Sequence, residues 1–292
     1  MIGTSERVLL QDVGPRDGLQ NEERSLNPQV RANLVDRLVE AGLTRIQIGS
    51  FVNPKWVPQM AGTDEVWKHI KKRDGVRYSV LVLNERGLDQ ALAARIPHVE
   101  IFASVSETHS LKNTNMSVEK AVGLVRGLTE RAKENGVTVT AGVMCAFGCF
   151  YEGAVPLEKV LGVLESFREA GPHEFGLADT TGMGKPDQVR RMLVAVERMI
   201  GLETLSLHLH DTHAHGLANL RAALEAGVRR FDSSVGGLGG CPFVPGAKGN
   251  ISTEATVGTI EGMGLSTSVD VEMVVSVRRE LQQLLGRELS PS

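Results

Sequence analysis

Residues 205–219 read LSLHLHDTHAHGLAN. Residues 204–209 alternate polar and apolar side chains, the period-two signature of a strand. His208 and His210 stand two apart in it, so both imidazoles project from one face. Asp211 and Thr212 mark the strand's end, and the next run, GLANLRAALEAG, spaces its apolar residues as a helix does. A strand that feeds a helix and carries two histidines near its carboxyl end is the local unit of an α/β protein with a metal site. An H-x-H pair alone is a weak motif in a chain with eight histidines. Its weight comes from what the rest of the chain repeats.

Outward from this stretch the same unit recurs. Strands are predicted at residues 8–12, 45–50, 78–83, 98–103, 137–144, 174–178, 204–210 and 230–234. Helices are predicted from Pro28 to a stop at Gly42, then at 63–73, 85–95, 117–135 (stopped by Gly136), 156–170, 186–200 and 217–226. Thr63, followed by Asp64 and Glu65, has the form of an N-cap. No Ser- or Pro-rich linker divides the sequence. Eight strands, each leading to a helix, predict one α/β domain over residues 1–292, a (β/α)8 TIM barrel. Additional C-terminal helices, at 251–263 and 270–285, are expected to pack on it. An open doubly wound sheet would usually have fewer strands and a Gly-rich phosphate motif after the first, which is missing here.

Composition narrows the function classes. A chain of 292 residues, 41% hydrophobic and 23% charged, can bury a large core. A formal net charge of -3 gives no electrostatic case for binding nucleic acid or an anionic membrane. No apolar run approaches a bilayer span, and residues 1–7 lack the charged-then-apolar pattern of a signal segment. Cys145, Cys149 and Cys241 make no disulfide framework and fit a reducing compartment, so a cytoplasmic protein is expected.

In a barrel of this kind the chemistry sits at the carboxyl ends of the strands. The first strand ends in DVGPRDGLQNE, which offers Asp12, Arg16, Asp17 and Gln20. The second offers Gln47 and Ser50, the sixth Asp179 and Thr180, and the seventh His208, His210 and Asp211. The eighth leads to GGLGGCPFVPGAKGN, with Cys241 and Asn250. Asp17, His208, His210 and Asn250 form a mixed oxygen and nitrogen set that suits Mg²⁺ or Mn²⁺ better than Zn²⁺. Cys145 and Cys149 have no zinc spacing and read as small buried residues. Asp12 either orients Arg16 or caps a turn. Lys248 reads as a contact to an anionic ligand, His213 and His215 as a loop facing substrate or solvent, and Trp56 and Trp67 as packing residues.

In their order and spacing, DVGPRDGLQNE, SFVNPKWVPQM, DTTGMGKP, HLHDTHAHGLAN and GGLGGCPFVPGAKGN resemble the 3-hydroxy-3-methylglutaryl-CoA lyase family, from Asp12 to Glu254. The resemblance implies that Asp17, His208, His210 and Asn250 hold a divalent cation. It implies that Arg16 stabilises an enolate oxygen, that Cys241 handles protons at the acetyl carbon, and that Asp179 helps orient the site. Gln20 and Gln47 are expected at the substrate. The implied reaction is retro-Claisen cleavage of an acyl-CoA, and the implied assembly is a homodimer. Such cleavage removes a proton from a tertiary hydroxyl, breaks the C–C bond and leaves a ketone with the enolate of acetyl-CoA. A divalent cation lowers the alcohol's pKa, an always-charged guanidinium meets the enolate oxygen, and a thiol is matched to protonate the carbanion.

Two positions depart from the family. Gln47 stands where a Glu is usual, and Glu23 where many members have Lys. Loss of a carboxylate beside the metal alters either the proton path or the acyl group accepted, so citramalyl-CoA or a longer 3-alkyl glutaryl-CoA is the next substrate after 3-hydroxy-3-methylglutaryl-CoA. A condensing synthase of the same superfamily is disfavoured by the Gly-Cys loop. A non-catalytic acyl-CoA-binding barrel is disfavoured by the full set of site residues.

Overall fold

Eight parallel strands pair in sequence order and close on themselves, β1 through β8, in a computed structural model that describes residues 6–239 and 249–289. The strands are β1 Leu9–Asp12, β2 Arg45–Ser50, β3 Arg77–Leu81, β4 His98–Ser104, β5 Thr138–Met144, β6 Glu174–Ala178, β7 Leu205–His208 and β8 Arg230–Ser233. Between them run α1 Pro28–Glu40, α2 Thr63–His69, α3 Glu85–Ala93, α4 Glu107–Thr114, α5 Val118–Glu134, α6 Leu157–Ala170, α7 Pro186–Ile200 and α8 Gly216–Glu225. Two helices follow β8, α9 Thr253–Gly262 and α10 Val271–Leu285, as expected. β1 pairs with β8 over four residues, from Leu9 opposite Arg230 to Asp12 opposite Ser233, and this seam closes the barrel.

Strand alternation sorts the side chains. Ile46, Ile48, Val80, Val99, Ile101, Val139, Val143, Leu177, Leu205 and Leu207 are all buried in the apolar core. The intervening residues point into the lumen, where Gln11 of β1 and Glu100 of β4 meet across strands that are not neighbours. Gln11 of β1 donates to Glu100 of β4 at 3.0 Å and to Asp232 of β8 at 3.2 Å, and Ser79 of β3 donates to the same Glu100 oxygen at 2.6 Å. Burial, with the field of Asp232 added, pushes the Glu100 carboxyl up to about 7. Above this polar layer Phe102 lies against β5 and β6. A Cβ at Gly142 would fall 2.1 Å from its ring and one at Gly176 3.0 Å, so both glycines make room for it.

Three local expectations are corrected. Thr63 is the first helical residue, not the cap. Gly62 takes that place in the left-handed region (φ 69°), while the Thr63 hydroxyl lies 2.9 Å from the Met60 carbonyl and 3.1 Å from that of Ser50. α2 stops at His69 because the backbone beyond it has other partners, Lys71 N–H donating to Asp36 and Arg73 N–H to the Tyr78 hydroxyl. β7 stops at His208. Residues 209–211 pair instead with 249–251, through Ile251 N–H to Leu209 O and Asp211 N–H to Gly249 O, and His210 bridges Asn250. α4, which was not predicted, is capped by Ser106, whose hydroxyl accepts from His109 N–H.

Asp12 caps a turn and does not touch Arg16. It is fully buried, with one carboxylate oxygen accepting from Gly14 N–H at 2.8 Å and the other from the Thr253 hydroxyl at 2.7 Å. Burial raises its pKa to about 7, although the Thr253 and Gly14 hydrogen bonds oppose the shift. A carboxyl raised on folding binds its proton more tightly in the folded chain. Its contribution to stability is therefore complete below the unfolded value near 4 and is lost as pH rises through about 7. Thermal denaturation followed by circular dichroism from about pH 5 to pH 8 should show the midpoint falling, and Asp12→Asn should flatten the slope. Coincident slopes would place the effect on other groups.

Candidate active site and metal centre

The turn after β1 sets the first two residues. Gly14–Gly18 forms a single π-helical turn begun by Pro15. It packs closely: a Cβ at Gly14 would meet Asp12 at 2.8 Å and one at Gly18 would meet Leu238 at 2.9 Å. Arg16 and Asp17, both mostly buried, are thereby aimed at the C-terminal mouth from beneath the loop that follows β8.

Ligand atoms of Asp17, His208 and His210 all lie within 4.8 Å of one another. The two Nε2 atoms are 3.1 Å apart, and His208 Nε2 is 4.0 Å from an Asp17 oxygen. His208 Nδ1 lies 3.1 Å from Asp232, so Nδ1–H donates to that carboxylate and Nε2 is turned toward Asp17 and His210. Asp232 was not anticipated from the sequence. The only signal available was a charged residue in the middle of an otherwise buried eighth strand.

The electrostatics favour positive charge at this point. Burial opposes ionisation of Asp17, yet the charges of Arg16, His208 and His210 and the Asn250 hydrogen bond hold its pKa below the ordinary carboxylate range. Burial also works against charge on His208, but the Asp232 hydrogen bond and the Asp17 and Asp232 charges raise it. His210 is pushed down to about 3 by burial and by the neighbouring His208 charge, and stays neutral. An ionised carboxylate, a neutral imidazole and a second imidazole steered by a carboxylate are a donor set that fits a divalent cation.

The other expected residues gather around this set. Arg16 donates through Nη1 to Asp17 and through Nε to the Gln47 carbonyl, which leaves its Nη2 without a hydrogen bond among the described residues. Gln47 is fully buried and its own amide nitrogen has no partner. Gln20 donates to Asp17 at 2.9 Å. Asn250 presents its amide nitrogen, which donates to Asp17 at 2.8 Å and to the Leu238 carbonyl at 3.2 Å. Its oxygen would face the cluster after a half-turn of the amide. Gly239 makes this approach possible, since a Cβ there would fall 2.7 Å from the Asn250 nitrogen. Asp179 is buried at the end of β6, where its carboxylate accepts from Gly184 N–H and its own N–H donates to the His208 carbonyl at 2.8 Å. It ties the 180–184 loop to the strand that carries His208. Burial lifts its carboxyl to about 7. Asp211 accepts from the N–H of Gly216, the first residue of α8, at 2.9 Å.

Cys241 and Lys248 lie outside the described residues. Cys145 and Cys149 are buried, as read from their setting. Cys149 donates to the Ser106 hydroxyl, and burial pushes the Cys145 thiol up to about 12. His213 is exposed and His215 half-buried. Trp67 packs on Tyr78 with ring centroids 5.5 Å apart. Trp56 does not pack. It follows β2 on the mouth side and is 84% exposed, because the turn at residues 54–56 carries it outward.

Fold and site together define a class, a (β/α)8-barrel enzyme with a candidate divalent-cation centre at the carboxyl ends of its strands. Within that class, residues 7–281 match the HMGL-like family model. The chain is 42% identical over 281 residues to a hydroxymethylglutaryl-CoA lyase of Pseudomonas mevalonii, covering 96% of this chain and 93% of that one. It is 40% identical to a 3-hydroxy-3-isohexenylglutaryl-CoA/hydroxy-methylglutaryl-CoA lyase of Pseudomonas aeruginosa, covering 97% and 94%. A solved structure of an HMG-CoA lyase from Acinetobacter baumannii, in complex with coenzyme A and 3-methylmalate, superposes with a TM-score of 0.94 at 37% identity, covering 100% and 95%. The chain belongs to the HMGL-like family and is a carbon–carbon lyase in reaction class.

Proposed function

We propose that this protein cleaves a 3-hydroxy-3-methylglutaryl-CoA-type thioester, by retro-Claisen reaction, to acetyl-CoA and acetoacetate. The observation that carries the reading is the convergence of Asp17, His208 and His210 within 4.8 Å beside a guanidinium with a free donor edge. The relatives' names and the neighbour bound to coenzyme A and 3-methylmalate support the substrate class.

Asp17, His208 and His210 would hold Mg²⁺ or Mn²⁺, with the Asn250 oxygen joining after its amide turns. When bound, the cation supplies Lewis-acid stabilisation for a hydroxyl oxygen that loses its proton. The chain's own residues do the rest. Asp232 fixes the tautomer and direction of His208. Arg16, clamped by Gln47 and Asp17, offers Nη2 to the thioester oxygen as negative charge arrives there. Asp179 holds the loop beside His208. Cys241 returns a proton to the acetyl carbon, a role that rests on the family resemblance. A homodimer rests on the same resemblance, and a cytoplasmic location on the cysteine usage. Assay of the purified, Mg²⁺-supplemented protein over a small acyl-CoA panel tests the reading. Thioester hydrolysis alone, or condensation without cleavage, would overturn it.

A longer 3-alkyl substrate is the second reading, favoured by Gln47. Its buried amide N–H offers a donor with no acceptor in the protein, where a Glu would offer an acceptor. The named pair of substrates for the Pseudomonas aeruginosa relative supports breadth at the 3-alkyl position. kcat/KM should be measured for wild type and Gln47→Glu on the methyl and on a longer 3-alkyl substrate. Tuning by Gln47 predicts that the substitution shifts the ratio of the two by about tenfold or more, the scale of one hydrogen-bond or charge contact. An unchanged ratio makes Gln47 a support for Arg16 only.

A further inference from the structure

The opposite mouth of the barrel carries a second cluster of charge. β2, β3, β6 and β8 open on Arg45, Arg77, Glu174 and Arg230, and parallel strands bring their first residues to the same end. The four side chains turn inward. Both Nη atoms of Arg45 donate across the lumen to Glu174, Arg77 Nη2 donates to the same carboxylate, and Arg230 Nε stands 3.6 Å from it.

The charges do not balance. Three guanidiniums surround one carboxylate, and among the described residues none of the three has another ion-pair partner. The oxygens of Glu174 are taken, while many donors are not. Arg77 Nε and Arg230 Nε are buried with no hydrogen bond, and among the described residues Arg230 makes none at all. His98, just inside, adds no negative charge. Its ring nitrogens are engaged by the Thr138 and Thr140 hydroxyls, and burial together with the Arg77 charge keeps it neutral. The two Nε atoms are shut off from solvent, but the Arg77 and Arg230 side chains are each about a quarter exposed, and Arg77 Nη1 and the Arg230 Nη atoms, which make no hydrogen bond among the described residues, face solvent. A cleft of about 550 Å³ opens beside Arg230. Arg230 lines it together with Arg7, Arg229, Glu6, Glu197 and Glu203, so the cleft wall carries three arginines and three glutamates and is not itself strongly positive.

We propose that Arg45, Arg77 and Arg230 form a binding site for a phosphate-class dianion at the N-terminal mouth of the barrel. The three guanidiniums outnumber the one carboxylate they share, even with the field of Glu100 deeper in the lumen reaching Arg77, and planar guanidinium edges match tetrahedral oxyanions. The lumen between the two mouths is filled by Gln11, Ser79, Glu100 and Phe102, so this site is separate from the one at the C-terminal end. The phosphate is free in solution or is the head of a phosphomonoester.

The discriminating variant is Arg230→Gln. Because Arg230 makes no hydrogen bond among the described residues and faces two other guanidiniums, its removal should leave the thermal midpoint in chloride unchanged or higher. A purely structural cluster predicts a lower one. Wild type should gain about 2–4 °C in inorganic phosphate over chloride of equal ionic strength, at roughly ten times the dissociation constant. Arg230→Gln should lose most of that gain, and Glu174→Gln should bind phosphate several-fold more tightly by calorimetry. A parallel arm with glycerol phosphate separates the sources: a response to inorganic phosphate alone marks a free anion, and equal responses mark a phosphomonoester head. No difference between phosphate and chloride for wild type, or a full response retained by Arg230→Gln, overturns the site.

Discussion

Chelated exhaustively, the protein should lose cleavage activity completely, and Mg²⁺ or Mn²⁺ should restore it. The expectation follows from the site's own charges. Asp17 stays ionised and His210 neutral, while His208 is drawn toward the charged form by two carboxylates. Positive charge is wanted between the three, and a proton supplies it only partly. His208→Ala and Asp17→Asn should each weaken Mn²⁺ binding, measured by calorimetry, by well over about 100-fold. Asp232→Asn, which leaves every candidate ligand in place and loosens only the direction of His208, should cost about 10–100-fold. That ordering separates ligands from the residue that aims them. Full activity after chelation, with no metal found by elemental analysis, would remove the metal centre from the reaction.

Arg16→Gln should lower kcat by about 100- to 1,000-fold or more, the usual effect of deleting a donor aimed at a developing oxyanion. KM should move little, because the thioester oxygen carries its charge only in the transition state. Arg16→Lys should be nearly as damaging. Arg16 is held at two points, by Gln47 at Nε and by Asp17 at Nη1, and this hold is what turns Nη2 toward the mouth. A single ammonium cannot make both contacts and still present a third donor in a fixed direction. A lysine variant with wild-type kcat would mean that only the charge at this position matters. The proposed enolate contact would then be a field effect and not a hydrogen bond.

The elements that could be read from the sequence were those whose signal is local. Pro28, Pro186 and Gly136 punctuate helices wherever they stand, and β2, β6 and α7 have the expected bounds. The candidate ligands were legible for the same reason, since strand ends in a barrel mark the chemistry and His208, His210 and Asp17 stand at strand ends. What was missed depends on partners far away in the chain. Asp232, Glu100 and Gln11 sit inside strands, where a polar residue ordinarily reads as facing water. Only closure of the barrel turns that face into a lumen and gives each residue its partner, as for Gln11 and Asp232, 221 positions apart. The early end of β7 has a similar cause, because nothing near His208 reveals that residues 249–251 will take over the pairing. Trp56 was misread because an aromatic residue between two prolines gives no sign of which way its turn faces.

The seam between β1 and β8 also governs the order in which the molecule can assemble. β1 is made before the other strands, and its seam partner β8 follows far later in the chain, Arg230 standing 221 positions after the Leu9 it pairs with. Until then one side of β1 has no neighbour. Pairing across so long a stretch of chain carries a large entropic cost before any contact offsets it, which makes it a slow, late event. The cluster of Asp17 with His208 and His210 spans this seam, so it is complete only once the sheet joins its own beginning.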